Sequence, residues 1–270
     1  MEDDGNSPIF NAARDRLRFF CIGFVKLTVR DGVEDGQCGG SGTLVQVNGD
    51  KCILTAAHVV EDLRAHKGSI GIVRFLPNPK TLQTLKLNFE YVRINSIGEA
   101  PFGAHGPDLA LLTLPPDTAA ALEATNSFYN FASRSAAAIP KGPHFECIAG
   151  VVHERTRDVA EPAIKNAKAK MFESSFEPGT TRALDDEGGY DLLEFKPQVD
   201  EGYTPPDSYE GVSGAALWCV YCDDASEPKE VRDLWLHGVA FWESDQHDGA
   251  RTITCHGPRS VYGLARRPFR

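Results

Sequence analysis

The chain has 270 residues, with 28 Lys and Arg against 38 Asp and Glu and a formal charge of −10. An acidic surface of that size repels phosphate backbones and anionic headgroups, which argues against nucleic acid or a membrane as partner. Hydrophobic residues make up 41% and charged residues 24%, enough apolar material for a sizeable core, and no apolar run approaches the length of a membrane span.

The opening stretch, MEDDGNSPIFNAARDRLRFF, is acidic and polar and lacks the pattern of an export signal. Seven cysteines, an odd number with no export signal, are expected to be reduced thiols of a cytoplasmic protein. Residues 11–19 predict a short helix. Short runs rich in β-branched and aromatic residues follow at 20–29, 42–47, 51–55, 69–75, 87–94 and 109–114, separated by Gly, Asp and Pro turns. Asn48-Gly49 between two of them is a two-residue hairpin signal. An Ala-rich, helix-compatible segment at 118–130 and a linker-like SRSAAAIPKGP fall near the middle. Beyond them 154–190 reads as long polar loops around one hairpin, and further strands are expected at 145–152, 192–195, 215–221, 235–241 and 252–255. Many short strands at this spacing predict an all-β fold of sandwich or barrel type rather than βαβ units. The chain divides into an N-terminal extension (1–19) and two strand groups (20–130 and 131–270).

Three side chains carry candidate chemistry. In CILTAAHVVEDL a strand runs into small residues that permit a sharp turn and then into His58, whose imidazole titrates near neutral pH. In GPDLALLTL, Asp108 stands at the mouth of a strongly apolar strand, where a carboxylate can hold an imidazole in one tautomer. Each also reads as an ordinary surface or turn residue. In YEGVSGAALW, Ser213 lies between small residues in Gly211-Val212-Ser213-Gly214; it is either a nucleophile in a tight turn or a turn residue before a strand. The order His, Asp, Ser is one of the chain orders in which a hydrolytic triad occurs.

The blocks SGTLVQVNGDKCILTAAHVV, PDLALLTL and GVSGAALW resemble the three motif blocks of trypsin-like (chymotrypsin-fold) serine peptidases, in particular the disulfide-free domains of bacteria. The resemblance spans roughly residues 20–264 and implies two six-stranded antiparallel β-barrels with the site in the cleft between them. It implies His58 as general base, Asp108 as its orienting acid, Ser213 as nucleophile, and the Gly211 and Ser213 amides as an oxyanion hole. The implied activity is serine endopeptidase, with protein or peptide substrates, no cofactor and no metal. A free protease in the cytoplasm is dangerous, so control by a regulatory partner or by limited substrate choice is expected. It further implies Asp207, six residues before Ser213, at the base of a pocket for basic side chains, and Phe241, Trp242 and Glu243 along the substrate strand.

The sequence departs from the secreted members of that family. Val212 replaces the Asp that pairs with a newly cut N-terminus, and Val59 replaces a disulfide Cys after the histidine. Glu243 stands where they keep Gly. Two rival readings stay open. One is a non-catalytic peptide-binding or scaffolding member of the same fold. The other is a zinc or redox module on Cys219-x-x-Cys222 and Cys255-His256, although residues three apart in a strand face opposite sides.

Overall fold

The computed structural model describes residues 8–31, 33–75, 84–134, 139–158, 170–186, 188–198, 205–223, 230–245 and 251–267. The linker core at 135–138, residues 159–169 of the polar loop region and the final 268–270 lie outside them. The first strands are β1 (Cys21–Arg30), β2 (Val33–Val47), β3 (Asp50–Thr55), β4 (Ser69–Arg74), β5 (Thr84–Leu87), β6 (Arg93–Ile97), β7 (Leu109–Thr113) and β8 (Tyr129–Asn130). They form one sheet in the order β5-β4-β1-β2-β3-β7-β6, with β8 parallel to β2. Its two end strands, β5 and β6, are joined by only the residues 88–92, so the sheet curls back toward its own start.

The second group comprises β9 (His144–Val151), a two-residue ladder of β10 (Arg157–Asp158) and β11 (Lys170–Met171), then β12 (Ser174–Ala183), β13 (Leu192–Pro197), β14 (Ala216–Cys222), β15 (Val231–Glu243) and β16 (Ile253–His256). Here β12-β13-β16-β15-β14-β9 closes into a six-stranded barrel. The chain is thus mostly β, with four α-helices among the described residues: α1 (Pro8–Leu17), α2 (Ala57–Ala65), α3 (Pro116–Glu123) and α4 (Pro258–Ala265). Of the two expected six-stranded barrels, one is closed. The other is an eight-stranded sheet with a barrel-like path.

Several elements differ from the sequence reading. The run at 87–94 is two strands, because the Asn88 side chain accepts from the Glu90 amide at 3.0 Å and starts a 3-10 turn. The Ala-rich helix stops at Glu123, not 130. The Asn126 side chain and the Ser127 amide both donate to Phe19 O, at 3.2 and 2.9 Å, and draw the chain out into β8. Strand β2 begins nine residues before the expected 42, hidden in the glycine-rich VEDGQCGGSG. The glycines admit close approach; a Cβ on Gly42 would lie 2.6 Å from Ile53 Cγ2. The polar region 154–190 holds more than a hairpin in loops, since β12 is a full barrel strand disguised by Pro178-Gly179. A Cβ on Gly179 would meet Phe195 Cζ at 2.4 Å.

The two halves share material. Ile9, Ala13 and Leu17 form the buried stripe of α1, at helical spacing. They join one core cluster with Val45, Leu54 and Leu109 of the first sheet and Ala149, Trp218 and Val239 of the barrel. Helix α4, which the sequence reading did not mark, packs on β15, β6 and β7 and buries Val261, Tyr262 and Leu264. A polar link between the two halves is Ser41 on β2, which is fully buried. Its hydroxyl donates to Gly211 O at 2.7 Å and accepts from the Val151 amide at 2.8 Å. Its own amide donates to Ser213 O at 2.8 Å.

Ser41→Ala leaves the Val151 amide and the Gly211 carbonyl without a partner, each costing about 1–3 kcal/mol. We expect a loss of roughly 2–4 kcal/mol of stability, read as a lower urea midpoint; an unchanged midpoint would show that the seam does not depend on this hydroxyl.

Candidate active site

The pairing of β3 with β7 sets Thr55 opposite Ala110. Antiparallel register therefore brings the residues just after Thr55 and just before Ala110 to the same end of the sheet. There Ala56, in extended conformation, turns the chain into α2, and His58 lies in its first turn. Asp108, 1% exposed, immediately precedes β7. Its carboxylate grips His58 at two points: Oδ1 accepts from the His58 amide at 2.9 Å, and Oδ2 lies 2.5 Å from Nδ1. The carboxylate can only accept from the ring when Nδ1 carries the proton, which leaves Nε2 as the ring's basic nitrogen. One third of the imidazole side chain is exposed, and the Phe102 ring lies 6.0 Å from it.

Behind Asp108 stands a residue whose role the sequence reading missed. His256, at the end of β16, accepts from the Asp108 amide through Nε2 at 2.9 Å. It is fully buried and stacks on Phe241 with centroids 4.6 Å apart. Burial drives its pKa down to about 4, against smaller opposing effects of Asp108 and Asp191, so the ring is neutral. The Nδ1 proton finds no partner among the described residues. The sequence marked His256 only as a neighbour of Cys255, and nothing local points to Asp108, 148 residues away.

Ser213 sits in a loop held on several sides. The Val212 amide bonds Tyr209 O at 3.0 Å, the Ala215 amide bonds Val212 O at 2.8 Å, and the Gly214 amide bonds Ala240 O at 2.7 Å. Gly211 (φ +94°) and Gly214 (φ +89°) lie in the left-handed region that glycine tolerates. A Cβ on Gly214 would come within 2.1 Å of both Ser41 O and Thr55 Oγ1. Val212 packs into the barrel core with Ile148, Val152 and Phe195, so apolar burial holds this position. Among the described residues neither the Gly211 nor the Ser213 amide donates a hydrogen bond.

His58 and Asp108 are in direct contact. Ser213 is drawn alongside: the Val59 methyls at 2.9 Å and Ser213 O at 3.3 Å surround one point, the Cβ position of Gly40. No hydrogen bond joins the Ser213 hydroxyl to the imidazole.

The remaining sequence-picked residues sort differently. Asp207 is exposed; its amide bonds Glu154 at 2.8 Å and its carbonyl accepts from Arg251 at 2.7 Å, so it is not a buried pocket carboxylate. Glu243 is the carboxylate that meets the serine loop, accepting from the Tyr209 amide at 2.9 Å and Ser208 Oγ at 3.0 Å and pairing with Arg251 at 3.3 Å. The side chain of Phe241 is buried against His256 and offers nothing to a ligand, whereas Trp242 is 41% exposed. Strand β15 pairs with β16 at Trp242 and Glu243, while its ladder with β14 ends at Val239. The opposite edge of 241–243 has no strand partner among the described residues.

The cysteine module does not assemble. All seven cysteines are free thiols. Cys219 packs with Tyr221 and Trp235, Cys222 in the main core and Cys255 inside the barrel cluster. Burial pushes the Cys219 thiol up to about 12 and raises that of Cys255 as well. No described helix is long and apolar enough to cross a membrane.

No family model and no curated protein matches the chain. Solved structures that it resembles include the active tobacco etch virus protease complexed with product, at 12% identity and a TM-score of 0.43, over 94% of this chain and 80% of that one. Another is the serine protease AL20 from an extremophilic microorganism, at 11% identity and a TM-score of 0.45, over 93% and 96%. Likeness at this level carries no inference about activity.

His256 gives the site a pH signature. Its folded pKa lies below the ordinary 6.5, so between those values the unfolded chain binds the extra proton. Stability then falls as pH drops from about 6.5 to about 4, by up to roughly 3 kcal/mol in all. His256→Gln, which keeps an acceptor for the Asp108 amide, should flatten that part of the profile; an unchanged slope in urea titrations would contradict the assignment.

Proposed function

We propose that the chain is a serine endopeptidase of chymotrypsin-like architecture. The observation that carries this reading is the two-point hold of buried Asp108 on His58, beside a serine loop pinned to the same sheet. In the proposed reaction Nε2 of His58 takes the Ser213 hydroxyl proton as Oγ attacks a peptide carbonyl. The developing oxyanion is met by the Gly211 and Ser213 amides, which are free of other bonds among the described residues. Collapse expels the amine, which receives the proton from His58, and leaves an acyl-serine. Water, deprotonated by His58, then releases the acid. Asp108 stays ionised and stabilises the imidazolium. Every step is proton transfer and acyl transfer, so no cofactor is required.

The edge at 241–243, without a strand partner among the described residues, suits an extended peptide added as a further strand, with Trp242 beside it. Glu243 is already paired with Arg251 and Asp207 is exposed, so this reading does not carry a preference for basic side chains. Val212, packed in the core, removes the need for a freshly cut N-terminus to order the loop. A regulatory partner would restrain such an enzyme in a cell.

The missing bond between Ser213 and His58 favours a second reading, a peptide-binding module of the same fold. Catalytic hydrogen bonds are often long in substrate-free enzymes and tighten on binding, so the catalytic reading survives it. Cleavage profiling on proteome-derived peptides separates the two. The wild-type chain should cut them without a strong Arg or Lys preference. Ser213→Ala should not cut, and Asp108→Asn should be slower by about 10⁴-fold. Peptide retention by wild type without any cleavage would establish the binding module instead.

A further inference from the structure

At one end of the barrel, away from the triad residues in sequence, three different metal-ligating side chains converge. His144 and Glu146 are two residues apart on β9 and so share a face. Glu146 is the cross-strand partner of Cys219 on β14. One donor atom from each of the three lies within 4.8 Å of the others. We propose that His144, Glu146 and Cys219 form a zinc site.

The donor set is the first argument. A thiolate, an imidazole and a carboxylate together suit Zn²⁺ better than the oxygen-preferring Mg²⁺ or Ca²⁺. Zinc bonds of about 2.0–2.3 Å in a tetrahedron place donors roughly 3.3–3.8 Å apart. The present spacing needs a contraction of about 1 Å, within reach of side-chain rotation. Charge is the second argument, because one thiolate and one carboxylate neutralise the dication.

Outer contacts already orient the ligands, as they do around zinc in general. The His144 Nδ1 proton is directed at Gly142 O at 2.9 Å, leaving Nε2 as the lone-pair nitrogen. The Glu146 carboxylate accepts from the Thr181 amide and hydroxyl, both at 2.6 Å, and each oxygen keeps a further lone pair. His237 on β15 carries a buried Nδ1 with no partner among the described residues. His144 is exposed and gives the ion an entry path, while Cys219 is buried at the floor. Cys222 and Cys255 take no part, so the site differs from the C-x-x-C reading of the sequence.

This site would clamp β9 to β14, the strand that begins three residues after Ser213. The assignment is independent of catalysis, and so is its test. The full chain, purified without a histidine tag and stripped of metal, is titrated with Co²⁺ and with Zn²⁺. One equivalent should bind, with a thiolate-to-cobalt charge-transfer band. Saturating Zn²⁺ at a hundredfold excess over Kd should raise Tm by roughly 5 °C. Cys219→Ala should lose the band, His144→Ala should bind at least tenfold more weakly, and Cys222→Ala should match wild type. His144 is a surface side chain, so its variant keeps the test open if Cys219→Ala fails to fold. Failure of the wild-type chain to bind one equivalent, or wild-type affinity in His144→Ala, would overturn the site.

Discussion

The site depends on a seam between a curled sheet and a closed barrel, and Ser41 is its central polar contact. Neither half contains the whole constellation. His58 follows β3 in the first turn of α2 and Asp108 immediately precedes β7, both at one end of the first sheet, while Ser213 precedes the first residue of β14 in the barrel. The Ser41 amide reaches Ser213 O and its hydroxyl reaches Gly211 O, so one buried residue fixes both ends of the serine turn relative to β2. The same hydroxyl takes the Val151 amide from β9. Thr55 Oγ1 in turn donates to Ser41 O at 2.7 Å, which ties this seam to the strand that leads into His58. With both sides buried, these groups have no water to fall back on, and the geometry is held by the cost of leaving them unpaired.

The serine turn shows why glycine is required around it. Gly211 and Gly214 take a left-handed backbone, and the space for a side chain at Gly214 is already taken by Ser41 O and Thr55 Oγ1. Apolar burial of Val212 against Ile148, Val152 and Phe195 holds the turn from the barrel side. On the opposite side of the histidine, the neutral ring of His256 receives the Asp108 backbone and rests on Phe241. That contact links β16 of the barrel to the mouth of β7, so Asp108 is positioned from both halves of the molecule.

The parts legible in the sequence were those whose signal is local. Strands β3, β7 and β14 are apolar runs because they are buried on nearly every residue, and the chain order of His58, Asp108 and Ser213 needs no structure to be seen. What the sequence concealed depends on partners far away in the chain. Strand β12 carries Pro178-Gly179, which reads as a break, yet its neighbours β9 and β13 supply the ladder. The helix at 118–130 is cut short by bonds to Phe19, more than a hundred residues earlier. Ser41 and His256 look like an unremarkable serine in a glycine-rich strand and a histidine beside a cysteine. Asp207 matched a spacing but not an environment, since the carboxylate that meets the serine loop comes from Glu243 on another strand.

The central claim is that Ser213 is a nucleophile made reactive by His58. A fluorophosphonate reacts covalently with such a serine and leaves a mass increment that peptide mapping can locate. One adduct per chain is expected, on Ser213, formed much more slowly when His58 is replaced by alanine and absent from Ser213→Ala. A folded wild-type chain that remains unmodified, or an adduct on any other residue, would contradict it.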